Sequence, residues 1–109
     1  MLGISMLAAV FGDVDRRGYR RMEVAELFQR QPFGEKVVVA GRVERVLQHR
    51  DGYGAFLLEH GNETVKVYCS GNLSVAAGAR IEVWGTFSTH QGVPEVSTDC
   101  FMIRRAGGT

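Results

Sequence analysis

The chain has 109 residues, of which 45% are hydrophobic and 23% are charged. This length fits one domain, and this composition excludes a chain that is disordered throughout. The net charge is +1 at pH 7, and residues 35–109 carry eight basic and eight acidic side chains. The sequence therefore excludes a strongly basic nucleic-acid-binding protein, although a basic strip on one face remains compatible with it.

Residues 1–21 are predicted to form an N-terminal extension that is either docked on the main domain or mobile. Its apolar stretch 2–11 fits neither a helical nor a strand period, and no basic residues precede it as they do in a secretory signal. No apolar stretch in the chain approaches the roughly 20 residues that cross a bilayer, so we expect a cytoplasmic protein without a membrane partner. The basic run 16–21, with Tyr19 inside it, is interpreted either as a solvated linker or as a phosphate-contacting arm.

Residues 22–31 predict one short amphipathic helix. Val24, Leu27 and Phe28 fall at i, i+3 and i+4, so they share one face. Pro32 is expected to end the helix. Because a helix of this length is marginal alone, we expect its apolar face to pack on the rest of the domain.

From residue 37 onward the apolar residues alternate with a period of two, which indicates β-strands. Strands are predicted near 37–43, 56–59, 65–68, 81–86 and 95–103. The last strand keeps its phase only with a bulge near Asp99. Turn-rich segments are predicted between them, at 48–54, 60–63, 71–78 and 89–94. This order matches a five-stranded Greek-key barrel in a domain of residues 22–105, with a frayed tail over 106–109, and gives too few strands for a β-sandwich.

The sequence carries no pattern typical of a catalytic or metal site. Cys69 and Cys100 are far apart, and neither has neighbours at the spacing of metal ligands. We expect reduced, partly buried thiols rather than a disulfide, as is usual in cytosolic proteins. The chain also lacks a glycine-rich phosphate loop and a G-x-S-x-G turn. We therefore expect neither a cofactor nor an enzyme.

Three segments resemble strands of the oligonucleotide/oligosaccharide-binding (OB) family, which includes single-strand-binding and replication-protein-A-like proteins. Residues 34–43 (GEKVVVAGRV) are similar to the first strand of these domains, 55–61 (AFLLEHG) to the second and 78–85 (GARIEVWG) to the fourth. The resemblance implies an all-β, five-stranded Greek-key barrel with a short helix before it. It also implies that ligands lie across strands two and three, between the loops that join strands one and two and strands four and five.

Binding of a single strand to that surface requires exposed aromatic rings for stacking and cations for the phosphates. The alternation turns Lys66 and Tyr68 outward on the third strand. Tyr68 is the leading stacking candidate, although a structural role under the N-terminal segment is an equal alternative. Lys66 and Arg50 are the leading phosphate contacts. The candidate nucleic-acid-binding residues are Lys66, Tyr68, Arg50, Tyr53, His49, His90 and Arg42.

Other side chains favour contact with a protein. Trp84 points outward if its neighbours on the fourth strand point inward, and such a lone Trp is expected to pack under the helix or a partner chain. An apolar Leu57 on the expected ligand face also suits a protein partner better than nucleic acid. The candidate partner-interface residues are Trp84, Leu57, Leu27 and Phe28.

The sequence thus predicts binding of single-stranded DNA or RNA with low sequence specificity, within a replication, repair or RNA-processing assembly. The alternative is an OB-fold adaptor subunit that binds protein and not nucleic acid. The expected partners are single-stranded nucleic acid and either another protein or a second copy of this chain.

Overall fold

The computed structural model describes residues 18–106 as one β-barrel with a short helix. The long apolar alternation from residue 37 onward forms its strands. The elements in chain order are β1 (Arg20–Arg21), α1 (Val24–Arg30), β2 (Lys36–Arg50), β3 (Tyr53–His60), β4 (Glu63–Ser70), β5 (Arg80–His90), β6 (Val93–Asp99), a 3-10 helix η1 (Cys100–Met102) and β7 (Ile103–Arg105).

Five strands close the barrel. Their order is β2-β3-β4-β6-β5, and β5 pairs again with β2. The β4–β6 pairing is parallel, while the other four pairings are antiparallel. The short β1 adds to β2 in parallel, and β7 adds to β5 in antiparallel orientation. The prediction of an all-β, five-stranded Greek-key OB-type barrel is confirmed.

The inward side chains of the five strands form a dry core. Side chains alternate between the two faces of a strand, so every second residue is buried from Val65 to Cys69 of β4 and from Ile81 to Phe87 of β5. Phe56 and Phe87 are the largest fully buried side chains of this core. Its other members include Val39, Val43, Leu58, Val65, Val67, Cys69, Ile81, Val83 and Val96. The burial of the inward side chains of β3, β4 and β6 decides which of their other side chains face outward.

The helix α1 packs into this core. A reciprocal capping box between Glu23 and Glu26 begins it, and Gln31 ends it in the left-handed region at φ 51°. Val24 and Leu27 are fully buried within the barrel core, and α1 contacts β3 and β4. The prediction that Leu27 belongs to a partner interface is therefore wrong, because this side chain is fully buried in the barrel core and no partner could contact it.

Two predicted loops are tight hairpins instead. β2 continues to Arg50 and β3 begins at Tyr53, so the predicted loop 48–54 reduces to the Asp51-Gly52 turn. β5 reaches His90 and β6 begins at Val93, with positive φ at both Gln91 (53°) and Gly92 (80°). Two central residues with positive φ match the twist of the strands that flank the β5–β6 turn, whereas in the β2–β3 turn only Gly52 has positive φ (90°).

The predicted last strand 95–103 is interrupted. β6 ends at Asp99, η1 follows, and β7 resumes further along the same edge of β5, because β2 occupies the opposite edge. The predicted bulge near Asp99 is therefore a larger interruption, because η1 separates the part of the strand that pairs with β4 and β5 from the part that pairs with β5 alone.

The two cysteines form a disulfide, so the expectation of reduced thiols is wrong. Cys69, buried near the end of β4, bonds to Cys100 at the start of η1, with their Cα atoms 4.9 Å apart. The parallel pairing of Cys69 with Thr98 on β6 brings the two cysteines together. A bond that closes a loop of this length typically stabilises a small domain by about 2–4 kcal/mol.

The predicted extension 1–21 is described only from residue 18 onward, where Arg20 and Arg21 form β1 against β2. The apolar stretch 2–11, the residues Arg16 and Arg17, and most of the tail 106–109 lie outside the described residues. Within residues 18–106, no helix is long and apolar enough to cross a membrane.

Replacement of Leu27 by Ala tests its assignment to the core. The change leaves a cavity against the barrel interior, so the free energy of unfolding should fall by about 2–5 kcal/mol. Gln29→Ala, at an exposed position of the same helix, should change it by less than about 0.5 kcal/mol. Urea unfolding measures both variants. An equally small effect at Leu27 would contradict the assignment.

Candidate functional site

A polar groove of about 740 Å³ lies on the outer face of the barrel, between the β2–β3 and β5–β6 hairpins. Lys66 and Tyr68 on β4 form its centre, because they alternate with the buried Val65, Val67 and Cys69. Ser97 lies beside Tyr68 in register across the β4–β6 pairing. Tyr53 and His90 reach the groove from the two hairpins.

Two tyrosines form an aromatic shelf on one wall of the groove. Tyr53 pairs in register with Ser70 and Tyr68 with Ala55, so the two tyrosines are diagonal neighbours across β3 and β4. Their ring centroids are 5.8 Å apart and their planes differ by 25°, which is a stacked arrangement. Ala55, which lies opposite Tyr68 on β3, is buried (1% exposed). Both rings are half-buried, so each keeps surface that faces the groove.

Lys66 and Glu95 form a charge pair within the groove. The Lys66 Nζ lies 3.9 Å from the Glu95 Oε1, a distance that gives an ion pair but no hydrogen bond. Glu95 is only 6% exposed, and it is the one buried polar or charged residue of the part of the chain that the structure describes. The groove is therefore close to neutral, with a carboxylate that can accept further hydrogen bonds.

Sequence reasoning missed Glu95 because the register of the last strand was ambiguous. The signal lies in the alternation with Val96, which is fully buried, so Glu95 must face outward from β6. The pairing of Glu95 with Lys66 across β4 and β6 then places it in the groove.

The structure brings together four of the seven candidate nucleic-acid-binding residues: Tyr53, Lys66, Tyr68 and His90 line the groove. His49 and Arg50 lie exposed on the adjoining β2–β3 hairpin, outside the groove lining. Arg42 is not part of this surface. It forms a short ion pair with Glu59 near the β3–β4 turn, where Gly61 and Arg80 are its neighbours.

Trp84 belongs to a separate aromatic cluster on the outer face of β5. Its ring lies 5.2 Å from that of Tyr19 in an edge-on arrangement, and the Arg104 guanidinium lies 5.5 Å over it. Its indole N–H donates to Glu82 Oε1 at 2.8 Å. The expectation that Trp84 packs under the helix is wrong, because its side-chain partners are Glu82 on β5, Arg104 on β7 and Tyr19 before β1. Cover by a partner chain stays a prediction.

The remaining predicted interface residues have different surroundings. Phe28 packs against the core, with its ring edge-on to Phe87 at 6.4 Å. Leu57 is half-buried on the outer face of β3, in register with Lys66 and with Arg45.

The carboxylate of Glu82 lies near two cations, Arg21 and Arg104. Its partial burial raises the pKa, but hydrogen bonds from Arg21 and Trp84 outweigh this, as do the positive charges of Arg21 and Arg104. The pKa of Glu82 is consequently below its ordinary value of 4.5. The Arg21 Nη1 lies 2.8 Å from the Glu82 Oε2, so this ion pair connects β1 to β5.

Comparison with solved structures finds a similar fold in a crystal structure from Leishmania major Friedlin described as an aspartyl-tRNA synthetase. The match has a TM-score of 0.60 and 14% sequence identity, and it covers 96% of this chain but only 24% of that chain. This likeness shows a shared fold. No family model and no curated protein matches the sequence.

Acid titration tests the Glu82 cluster. Because the pKa of Glu82 is lowered in the folded protein, its stabilisation is complete above about pH 5 and is lost as the pH falls through the folded pKa. Glu82→Gln should cost about 0.5–1 kcal/mol of unfolding free energy at pH 7 and markedly less near pH 3. Urea unfolding across this range measures the difference. The exposed Glu63→Gln is the control, and a cost at Glu82 that does not depend on pH would refute the assignment.

Proposed function

We propose that the groove binds single-stranded nucleic acid and that this protein is a binding module rather than an enzyme. The observation that carries the proposal is the stacked Tyr53–Tyr68 pair on the groove wall. Every base has a flat π-face, and stacking on an aromatic side chain contributes about 1–3 kcal/mol per base. Two rings held by adjacent strands present this surface without a large loss of side-chain entropy.

We expect the sugar–phosphate backbone to lie toward the β2–β3 hairpin, where exposed cations flank the groove. Arg45, His49 and Arg50 are exposed there, and Lys66 lies at the groove centre. Cations that contact phosphates release counterions, so affinity should fall with salt. Because Glu95 offsets Lys66, few net charges act on the ligand, and we expect modest affinity.

Glu95 weakens the attraction of Lys66 for phosphates and favours contact with base edges beside it. A carboxylate accepts hydrogen bonds and repels phosphate, whereas the amino groups of bases donate to it. The polar side chains of Gln48 and Ser97 in the same groove can bond to either donors or acceptors. Stacking that tolerates every base, with a few polar contacts, corresponds to low sequence specificity.

Both DNA and RNA are suitable test ligands. The structural neighbour is described as an aspartyl-tRNA synthetase, a name that points to an RNA substrate for that protein. For this chain, RNA binding is a proposal, as is membership of a replication, repair or RNA-processing assembly.

Loss of the tyrosine shelf should weaken binding. We expect Tyr68→Ala to cost about 1–3 kcal/mol of binding free energy, because one stacking surface is lost. Lys66→Ala should cost less and should reduce the salt dependence of affinity, because one phosphate contact is removed. Fluorescence anisotropy with labelled DNA and RNA 4-mers at low salt measures both effects.

A matched control is Phe101→Ala, since Phe101 is 77% exposed on η1 and lines neither wall of the groove. It should bind the 4-mers as the wild type does. Wild-type protein that binds no oligomer at high micromolar concentration would refute the proposal. Unchanged affinity in both groove variants would place the site elsewhere.

Removal of the groove carboxylate should have the opposite effect. Glu95→Gln keeps the shape of the side chain but frees the charge of Lys66, so affinity at low salt should rise roughly threefold to tenfold. The gain should shrink as salt is added. Glu63→Gln, on an exposed residue at the far end of β4, should leave affinity unchanged. A loss of affinity in Glu95→Gln would mean that the charge itself holds the ligand.

The adaptor function draws on a different observation. Val46 and Leu47 on the β2–β3 hairpin and Val93 on the β5–β6 hairpin are exposed apolar side chains that flank the groove. Such residues suit a protein partner. If no oligomer binds, and light scattering shows an assembly that Leu47→Ser dissociates, the adaptor function is the better account.

A further inference from the structure

A second cavity of about 280 Å³ adjoins the groove on the outer face of β5. It contains the other aromatic pair, Tyr19 and Trp84, whose ring centroids are 5.2 Å apart. Ser97 on β6 lines both the groove and this cavity. The two aromatic pairs are thus joined by one continuous surface that crosses β6.

We propose that the second cavity is a second base-binding subsite, which extends the path of a single strand from the tyrosine shelf to Trp84. This inference rests on the proposed function of the groove and adds to it a minimum ligand length. A ligand confined to the groove would leave Trp84 untouched, whereas a longer strand would reach it.

The register of the strands fixes the separation of the two subsites. Tyr68, Ser97 and Thr86 lie opposite one another on β4, β6 and β5. Neighbouring strands are about 4.8 Å apart, so Tyr68 and Thr86 are separated by about 10 Å. Trp84 lies two residues further along β5, about 7 Å away. A stacked strand advances about 3.4 Å per nucleotide, so a strand with one base on each tyrosine needs roughly three to four further nucleotides to reach Trp84, about five or six in all.

Short side chains line the surface between the two subsites. Ser70, Thr86 and Ser97 are short polar side chains on the outer face, so they leave room for a strand that crosses β6. Their hydroxyl groups can donate to or accept from a base or a sugar. Trp84 itself is held in place by its hydrogen bond to Glu82, which fixes the ring before a ligand arrives.

Two cations border the second aromatic pair. The Lys36 Nζ lies 5.4 Å from the centre of the Tyr19 ring, and the Arg104 guanidinium lies 5.5 Å over Trp84. Both residues are exposed, so they can reach phosphates that flank a bound base. The acidic groups nearby are Glu82, which Arg21 neutralises, and Asp99 on the cavity wall. Phosphates should therefore lie near Lys36 and Arg104, which border the aromatic pair from the two opposite edges of β5.

The protein contains a single tryptophan, so its emission reports on Trp84 alone. We titrate the full chain with a mixed-sequence 4-mer and a 12-mer, each as DNA and as RNA. The 12-mer should bind roughly tenfold more tightly than the 4-mer and should quench the tryptophan emission. The 4-mer should bind in the groove, which anisotropy measures, and should change the tryptophan emission little.

Arg104→Ala provides a second measurement that keeps the reporter. It should lower the slope of log affinity against log salt by about 0.7 for the 12-mer, because one phosphate contact is lost, and leave the 4-mer unchanged. Arg30→Ala, an equal change of charge on the exposed end of α1, should alter neither.

The outcomes separate the two proposals. If both oligomers bind with equal affinity and Tyr68→Ala weakens both, while tryptophan emission and the Arg104→Ala slope stay unchanged, the groove stands and the second subsite is overturned. If neither oligomer binds, the proposed function of the groove fails, and the subsite fails with it.

Discussion

Closure of the barrel depends on the way β2 leaves β5 and joins β3. The first half of β2 pairs with β5 and the second half pairs with β3, and Arg42 lies opposite a residue of each strand. At the preceding position the chain must pass close to β3, because a Cβ on Gly41 would lie 2.5 Å from the backbone oxygen of Glu59. Glycine at this point lets the two strands approach, and the rest of the barrel follows from the pairing that this permits.

The same closure separates the two faces of each strand into a core and a binding surface. Irregular register in β2 beyond Val43 bends this strand away from β5 and sends it with β3 into a projecting hairpin. The β5–β6 hairpin projects on the opposite side, so the polar groove has walls that the core does not provide. The side chains of the groove can therefore vary in charge and chemistry without disturbing the apolar interior.

The two-residue alternation of apolar residues made it possible to predict from the sequence which side chains of a strand face outward. Alternation in β4 turned Lys66 and Tyr68 outward, and the positions of both follow from the burial of Val67 between them. This alternation did not reveal contacts that depend on the closure of the sheet. The ion pair of Arg42 with Glu59 joins elements that are distant in the chain. The disulfide spans 31 residues and follows from a parallel pairing that no local pattern indicates.

The disulfide also relates the two aromatic cavities to each other. Cys69 follows Tyr68 of the groove directly in the chain, and Cys100 follows Asp99 of the second cavity. Met102, two residues further on, lines that second cavity as well. β6 stops pairing with β5 beyond Ser97 but stays paired with β4 as far as Asp99, and η1, which carries Met102 of the cavity wall, then leads to β7. The covalent bond fixes this wall to the strand that carries the tyrosine shelf, so the two cavities keep one relative position, as a single strand that spans both requires.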